Sequence, residues 1–127
     1  MSRAVADTSV FIAQETGREI GQLPEEIAVS VITAAELELG VLRAAEAGIR
    51  ARRLATLSRV QATYPLLPID PEVASWFASL ASEELDRGRR PRRHDTWIAA
   101  TAMRHEAAVL TQDSDFSSFE QVEVIRV

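Results

Sequence analysis

Short apolar runs recur along this chain, and each is separated from the next by a stretch with helical spacing. Ile27-Ala28-Val29-Ser30-Val31-Ile32 is rich in β-branched residues and reads as a buried strand over 27–32. Ala4-Val5-Ala6, Leu66-Leu67-Pro68-Ile69, Val109-Leu110 and the segment 122–127 read as further strands, with Pro68 marking an edge. Helices are predicted over 8–14, 33–47 and 49–63, with Gly48 as the break between the last two. Asp70-Pro71-Glu72 is a strong helix start, and that helix runs to near Gly88. It carries Val73, Trp76, Phe77 and Leu80 on one face, which makes Trp76 a core residue. Another helix covers 94–105, and a short turn or helix covers 114–119. The order β-α-β-α-α-β-α-α-β-α-β makes the strands neighbours through crossovers. Such connections favour a mostly parallel sheet with helices on both faces, an α/β fold in one domain over 1–127. In sheets of this kind the functional groups lie beyond the carboxyl ends of the strands.

Composition narrows the chemistry. The chain of 127 residues has no cysteine, which excludes a disulfide scaffold, a thiolate metal site and a cysteine nucleophile. All 14 basic residues are arginine, so chemistry that needs a Schiff-base or phosphate-binding lysine is excluded too. No apolar stretch reaches the roughly 18 residues of a membrane span. Met1-Ser2-Arg3-Ala4-Val5-Ala6-Asp7 has no apolar core followed by a cleavage site, and these features point to the cytoplasm. The formal net charge is −5. A nucleic-acid binder with that balance needs a local basic patch, or bound cations to offset its acids.

Carboxylates fall where the strand-end rule wants them. Asp7 follows the first strand, Glu36 opens the helix after the second, Asp95 lies at the start of the 94–105 helix, and Asp113 and Asp115 follow Val109-Leu110. Each has a plainer reading. Thr33-Ala34-Ala35-Glu36 matches a capping box, Asp95 suits the positive end of its helix, and Asp113 and Asp115 suit a turn. Asp7 resists such a reading, because an acid at the end of a buried strand is costly unless paired or metal-bound. Gathered together, the acids would raise one another's pKa, with no lysine to neutralise them. A divalent cation such as Mg²⁺ or Mn²⁺, which prefers carboxylate oxygens, would relieve that repulsion.

These segments resemble a known family. Asp7-Thr8-Ser9 is similar to the opening motif of PIN domains. Ser30-Val31-Ile32-Thr33-Ala34-Ala35-Glu36-Leu37 resembles the second motif, with Glu36-Leu37-Glu38-Leu39-Gly40 its usual continuation in VapC toxins. His94-Asp95-Thr96-Trp97-Ile98-Ala99-Ala100-Thr101-Ala102 resembles the third, and Leu110-Thr111-Gln112-Asp113-Ser114-Asp115-Phe116 the fourth. The motifs occur in order over nearly the whole chain. The resemblance implies a three-layer α/β/α fold and a Mg²⁺- or Mn²⁺-dependent endoribonuclease. Asp7, Glu36, Asp95 and Asp113 would form its acidic quartet, with Asp115 a rival of Asp113 for the ion and Thr8 and Ser9 supplying a hydroxyl near metal or phosphate. It also implies a homodimer, a VapB-type antitoxin partner, and a heterotetramer or larger complex. tRNA or another structured RNA is the implied substrate.

Arg87-Gly88-Arg89-Arg90-Pro91-Arg92-Arg93 is the dense basic patch of the chain and directly precedes the third motif. Its planar guanidinium groups suit phosphate, and Arg89, Arg90, Arg92 and Arg93 are the expected RNA contacts. Neither His94 nor His105 is required by a metal-assisted hydrolysis, and Trp97 reads as packing rather than as a base-stacking residue. The main alternative is a catalytically weak PIN-like module that binds RNA or serves as a scaffold. DNA as the substrate also stays open, since nothing in the sequence reads a 2′-hydroxyl.

Overall fold

A computed structural model describes residues 3–127. Met1 and Ser2, the start of the stretch read above as lacking a leader, lie outside the described residues. The elements in order are β1 (Arg3–Ala6), α1 (Thr8–Glu15), β2 (Glu26–Ser30), α2 (Val31–Arg43), α3 (Ala47–Thr63), β3 (Leu66–Leu67), α4 (Pro71–Asp86), α5 (Arg93–Arg104), β4 (Ala108–Thr111), a 3-10 turn (Asp115–Ser118) and β5 (Val124–Arg126). The five strands form one parallel sheet in the order β3-β2-β1-β4-β5. The chain winds outward from β1 to β2 and β3, then returns to place β4 on the other side of β1. The order therefore reverses between β1 and β4, and a crevice opens at such a switch point beyond the carboxyl ends of the two strands.

Strand alternation splits the core into two layers. Ala4 and Ala6 of β1 and Leu110 of β4 pack with Val10, Phe11, Leu37, Val41, Leu57 and Val60 of the first three helices. Val5 and Val109 point the other way, into Val73 and Leu80 of α4 and Ile98, Ala99 and Ala102 of α5. Small side chains let α5 lie close against the sheet: Ala99, Ala100 and Ala102 are fully buried. Phe116 of the 3-10 turn is buried in the same layer. Trp76 is partly buried against that layer, as the helix-face reading expected.

Several boundaries differ from the sequence reading: β3 stops at Leu67, before Pro68, and β5 covers only Val124–Arg126. β2 stops at Ser30, not Ile32, because the Ser30 hydroxyl accepts the amide of Ile32 at 3.0 Å and caps α2. The β-branched Val31-Ile32-Thr33 thus forms a first helical turn, where burial of Thr33 beneath the sheet end overrides strand propensity. The capping box at Thr33–Glu36 does not form, and Glu36 is free to face the crevice. The break between α2 and α3 lies at residues 44–46, and Gly48 is inside the first turn of α3. Arg50 bridges that break by donating to the Ala44 carbonyl, Nη2 at 2.7 Å. Asp70 caps α4 as expected, accepting from the Val73 amide at 2.8 Å. Gly88, at φ +71°, closes α4 in a left-handed turn: its amide bonds Leu85 O, and that of Arg89 bonds Glu84 O.

Close packing of α5 on the sheet fixes where its first turn points. Ala99→Leu should push the helix outward and cost about 1–3 kcal/mol, measured by urea denaturation.

Candidate active site at the carboxyl end of the sheet

Asp7 is the first residue beyond β1 and caps α1, yet it is only 4% exposed. Both its oxygens are occupied. Oδ1 accepts from the Ser9 amide at 2.9 Å and the Ser9 hydroxyl at 2.5 Å, and Oδ2 accepts from the Thr111 hydroxyl at 2.8 Å. The Asp7 amide bonds Leu110 O at 2.9 Å, which locks the start of α1 to the end of β4. Burial raises the Asp7 pKa, the Ser9 and Thr111 hydroxyls oppose the shift, and the Asp113 carboxylate adds to it.

Thr111 ties the two strand ends together. The same hydroxyl that donates to Asp7 accepts the Asp113 amide at 2.9 Å, and the Ser9 hydroxyl accepts the Gln112 amide at 2.9 Å. Sequence reasoning missed Thr111. Its signal was a buried polar residue ending an apolar strand, directly beside the residues that follow in the fourth motif.

Asp95 stands in the first turn of α5, over the buried stripe of Ile98, Ala99 and Ala102. Its pKa is pushed up to about 6, first by burial, then by the Asp115 and Asp7 carboxylates. Arg92 opposes the shift and Glu36 adds to it. Acids from four separate segments therefore feel one another across one crevice. Glu36 is held from two sides: the Thr8 hydroxyl donates to Oε1 at 2.7 Å, and His94 Nδ1 lies 3.2 Å from Oε2. Thr8 and Ser9, expected near metal or phosphate, thus both donate to site carboxylates. Asp113 and Asp115 divide the neighbourhood, since Asp113 acts on Asp7 and Asp115 on Asp95. Asp115 is also paired with Arg92 at 2.9 Å.

The arginine-rich loop is not uniform. Glu84 is 5% exposed near the end of α4, with Arg89 Nη1 at 3.6 Å and Arg87 Nη1 at 3.9 Å. Arg87 reaches Glu120 as well, at 2.9 Å, and Arg89 donates to Ser118 O. Arg87, Arg89 and Arg92 are therefore engaged by acids, while Arg90 and Arg93 have no ion-pair partner among the described residues.

Comparison with known proteins identifies the family. The family model described as the PIN domain matches residues 4–122. The chain is 47% identical to Ribonuclease VapC5 of Mycobacterium tuberculosis, covering 97% of this chain and 94% of that protein. This chain belongs to the VapC family of PIN-domain proteins. Ribonuclease VapC4 of the same organism is 44% identical, over 98% of this chain and 97% of the relative. The crystal structure of VapBC-5 from M. tuberculosis, a member of the VapBC family of toxin-antitoxin systems, superposes with a TM-score of 0.90 at 44% identity and full coverage of both chains. FitAcB from Neisseria gonorrhoeae superposes at 0.79 with 27% identity, over 97% of this chain and 96% of that one. The α/β fold with a parallel central sheet is thus that of its PIN-domain relatives.

A cation fits the chemistry of this donor set. Among the described residues no three carboxylate or imidazole groups are gathered closely enough to form a finished metal cage. Mg²⁺ does not need one, because it usually keeps several waters and takes one or two carboxylates directly. Asp7 and Asp95, both with raised pKa, are the acids with most to gain from such an ion.

Two outcomes follow. Thr111→Val leaves a buried Asp7 oxygen without its donor and should cost about 1–3 kcal/mol, read by urea denaturation at pH 8. The folded-state pKa of Asp95 lies above its ordinary value of 3.8, so stability falls as pH rises from about 4 to about 6, where the unfolded chain has lost a proton that the folded one still holds, and the full loss is present above that window. In chelator, Asp95→Asn should raise Tm by roughly 2–5 °C at pH 8 and leave it unchanged below pH 4.

Proposed function

We propose that this chain is the ribonuclease toxin of a toxin–antitoxin pair, cleaving RNA endonucleolytically at the carboxyl end of its sheet with Mg²⁺ or Mn²⁺ as cofactor. One observation carries the reading. Asp7 and Asp95 come from widely separated segments of the chain, face the same crevice, and are both displaced toward protonation by burial and by neighbouring acids. The names of the VapC relatives supply the substrate class.

Asp7 and Asp95 would hold the cation directly, and Glu36, Asp113 and Asp115 would complete its surroundings. When bound, the cation neutralises phosphate charge and makes a bound water more acidic. The chain's own groups do the rest. Ser9 and Thr111 fix both oxygens of Asp7, so that carboxylate is set in place before substrate arrives. Thr8 and His94 orient Glu36, and Glu36 or Asp113 accepts the proton of the attacking water. Arginines of the 87–93 loop bind flanking phosphates beside Asp95. A structured RNA such as tRNA is the substrate class favoured by the family resemblance.

The VapBC-5 toxin-antitoxin structure supports a VapB-type antitoxin as partner, and a toxin homodimer is the assembly that the family resemblance implies. Leu39 and Leu42 on α2 and Leu54 on α3 are 55%, 70% and 50% exposed, an apolar surface suited to such assembly. No helix among the described residues is long and apolar enough to cross a membrane.

Cleavage mapping on total cellular RNA tests the reading. Wild type should cut at discrete positions with Mg²⁺ or Mn²⁺, and chelator should stop it. Asp7→Asn should lower the rate by two orders of magnitude or more. Because a metal ligand must be deprotonated, cleavage should fall as pH drops into the acid range, and the midpoint should move to lower pH as the metal concentration is raised. Equal cleavage by wild type and Asp7→Asn would refute the site. A folded wild type that binds RNA but never cuts it would favour the scaffold module.

A further inference from the structure

Beside the acidic crevice lies a cleft of about 590 Å³, lined by Phe77, Ala81, Arg90, Pro91 and Arg93. We propose that it holds one nucleotide of single-stranded RNA, its base against Phe77 and Pro91 and its phosphates on Arg90 and Arg93. The proposal rests on the RNA-cleaving reading above and adds to it a location and a strand preference.

Phe77 is a braced platform. Its ring stacks on Trp97 with centroids 3.9 Å apart and planes 22° from parallel. Trp97 is thus packing, as the sequence suggested, and what it packs is the floor of this cleft. An aromatic face backed in this way accepts any base, because every base has a π-face. In a duplex those faces are covered by neighbouring bases, so such a floor selects an unstacked nucleotide.

Charge distinguishes the two cleft arginines from the rest of their loop. Arg87, Arg89 and Arg92 are engaged by Glu84, Glu120 and Asp115. Arg90 and Arg93 are exposed, face the cleft, and have no ion-pair partner among the described residues. The paired arginines shape the loop and the two others supply its available positive charge. The acidic balance of the chain makes this local concentration the more telling. A polyanion satisfies two adjacent guanidinium groups, whereas an apolar partner surface would leave both desolvated and unpaired.

The cleft also communicates with the chemistry. Arg93 is the first residue of α5 and Asp95 the third, a spacing at which side chains leave the helix on different sides, so the link to the crevice runs through the loop before the helix. Arg90 lines an adjoining cleft of about 310 Å³ as well, together with Arg92 and Asp115. A strand with one base on Phe77 can therefore continue past Arg90 and Arg92 to Asp115, at the edge of the acidic crevice. The cleft volume falls within the roughly 300–1,000 Å³ of small-ligand pockets.

Fluorescence anisotropy in chelator tests this without cleavage, using a labelled single-stranded RNA of about ten nucleotides and the same sequence as a duplex. Wild type should prefer the single strand. The Arg90→Ala/Arg93→Ala variant should bind it at least tenfold more weakly, and its salt slope should drop by about 1.4, near 0.7 per lost phosphate contact. Phe77→Leu should lose about fivefold or more with the slope unchanged, and Phe77→Tyr should restore binding. Arg3→Ala, at the opposite end of the sheet, should bind like wild type. Melting curves check folding, and the arginine pair, being exposed, carries the test even where Phe77→Leu destabilises the core. Single-strand affinity and salt slope unchanged in the arginine variant would overturn the proposal, as would equal wild-type affinity for duplex. If that variant instead disrupts a dimer or antitoxin complex at unchanged RNA affinity, the cleft is a protein interface and the proposal falls. In either case wild-type cleavage of total RNA would leave the ribonuclease reading standing; a wild type that neither binds nor cuts RNA would remove both.

Discussion

A carboxylate buried at the end of the central strand is the constraint around which this structure is arranged. Asp7 is nearly inaccessible, and taking its charge out of water opposes folding. The fold answers with three donors in fixed positions, the Ser9 amide, the Ser9 hydroxyl and the Thr111 hydroxyl. Those donors can converge only because β1 and β4 are adjacent and parallel, with the strand order reversing between them. Burial still prevails, and the Asp7 pKa stays raised. A chain selected for stability alone would more simply place an apolar or amide side chain there. The acid is kept for its charge, and the surrounding acids point to what that charge serves.

Asp95 repeats the pattern from the other side of the crevice. Its helix is pressed onto the sheet by Ala99 and Ala102, and that packing holds a carboxylate of pKa about 6 among three other acids. With no lysine in the chain, arginine is the residue type of fixed positive charge available to balance them. Arg92 does so for Asp115, but both partners are about half exposed, and an ion pair of that kind contributes little. The acids remain under-compensated by the protein itself. The loop that supplies Arg92 is in turn anchored through Glu84, so the positive charges near the site are positioned by a buried acid.

Much of this was legible in the sequence. Alternation of short apolar runs with helical periods specified a parallel sheet, and the strand-end rule then selected Asp7, Glu36, Asp95, Asp113 and Asp115. The errors came from local competition. Ser30 could end a strand or cap a helix, and β-branched neighbours favoured the strand until tertiary burial of Thr33 decided otherwise. Gly48 reads as a helix breaker, but in a first turn a glycine costs little. Within the site, the roles of Thr8 and His94 toward Glu36 depend on contacts spanning 28 and 58 residues of sequence. Thr111 reaches Asp7 across 104. No local pattern reports such pairings, nor which arginines of a basic run are already engaged.

The central claim is that these acids converge to hold a divalent ion, and calorimetric titration of the metal-free protein with Mn²⁺ tests it most directly. At pH 7.5, wild type should bind the ion in a saturable fashion. Asp7→Asn and Asp95→Asn should each weaken binding at least tenfold while the protein remains folded. Undiminished Mn²⁺ binding in a folded Asp7→Asn/Asp95→Asn double variant would contradict the account.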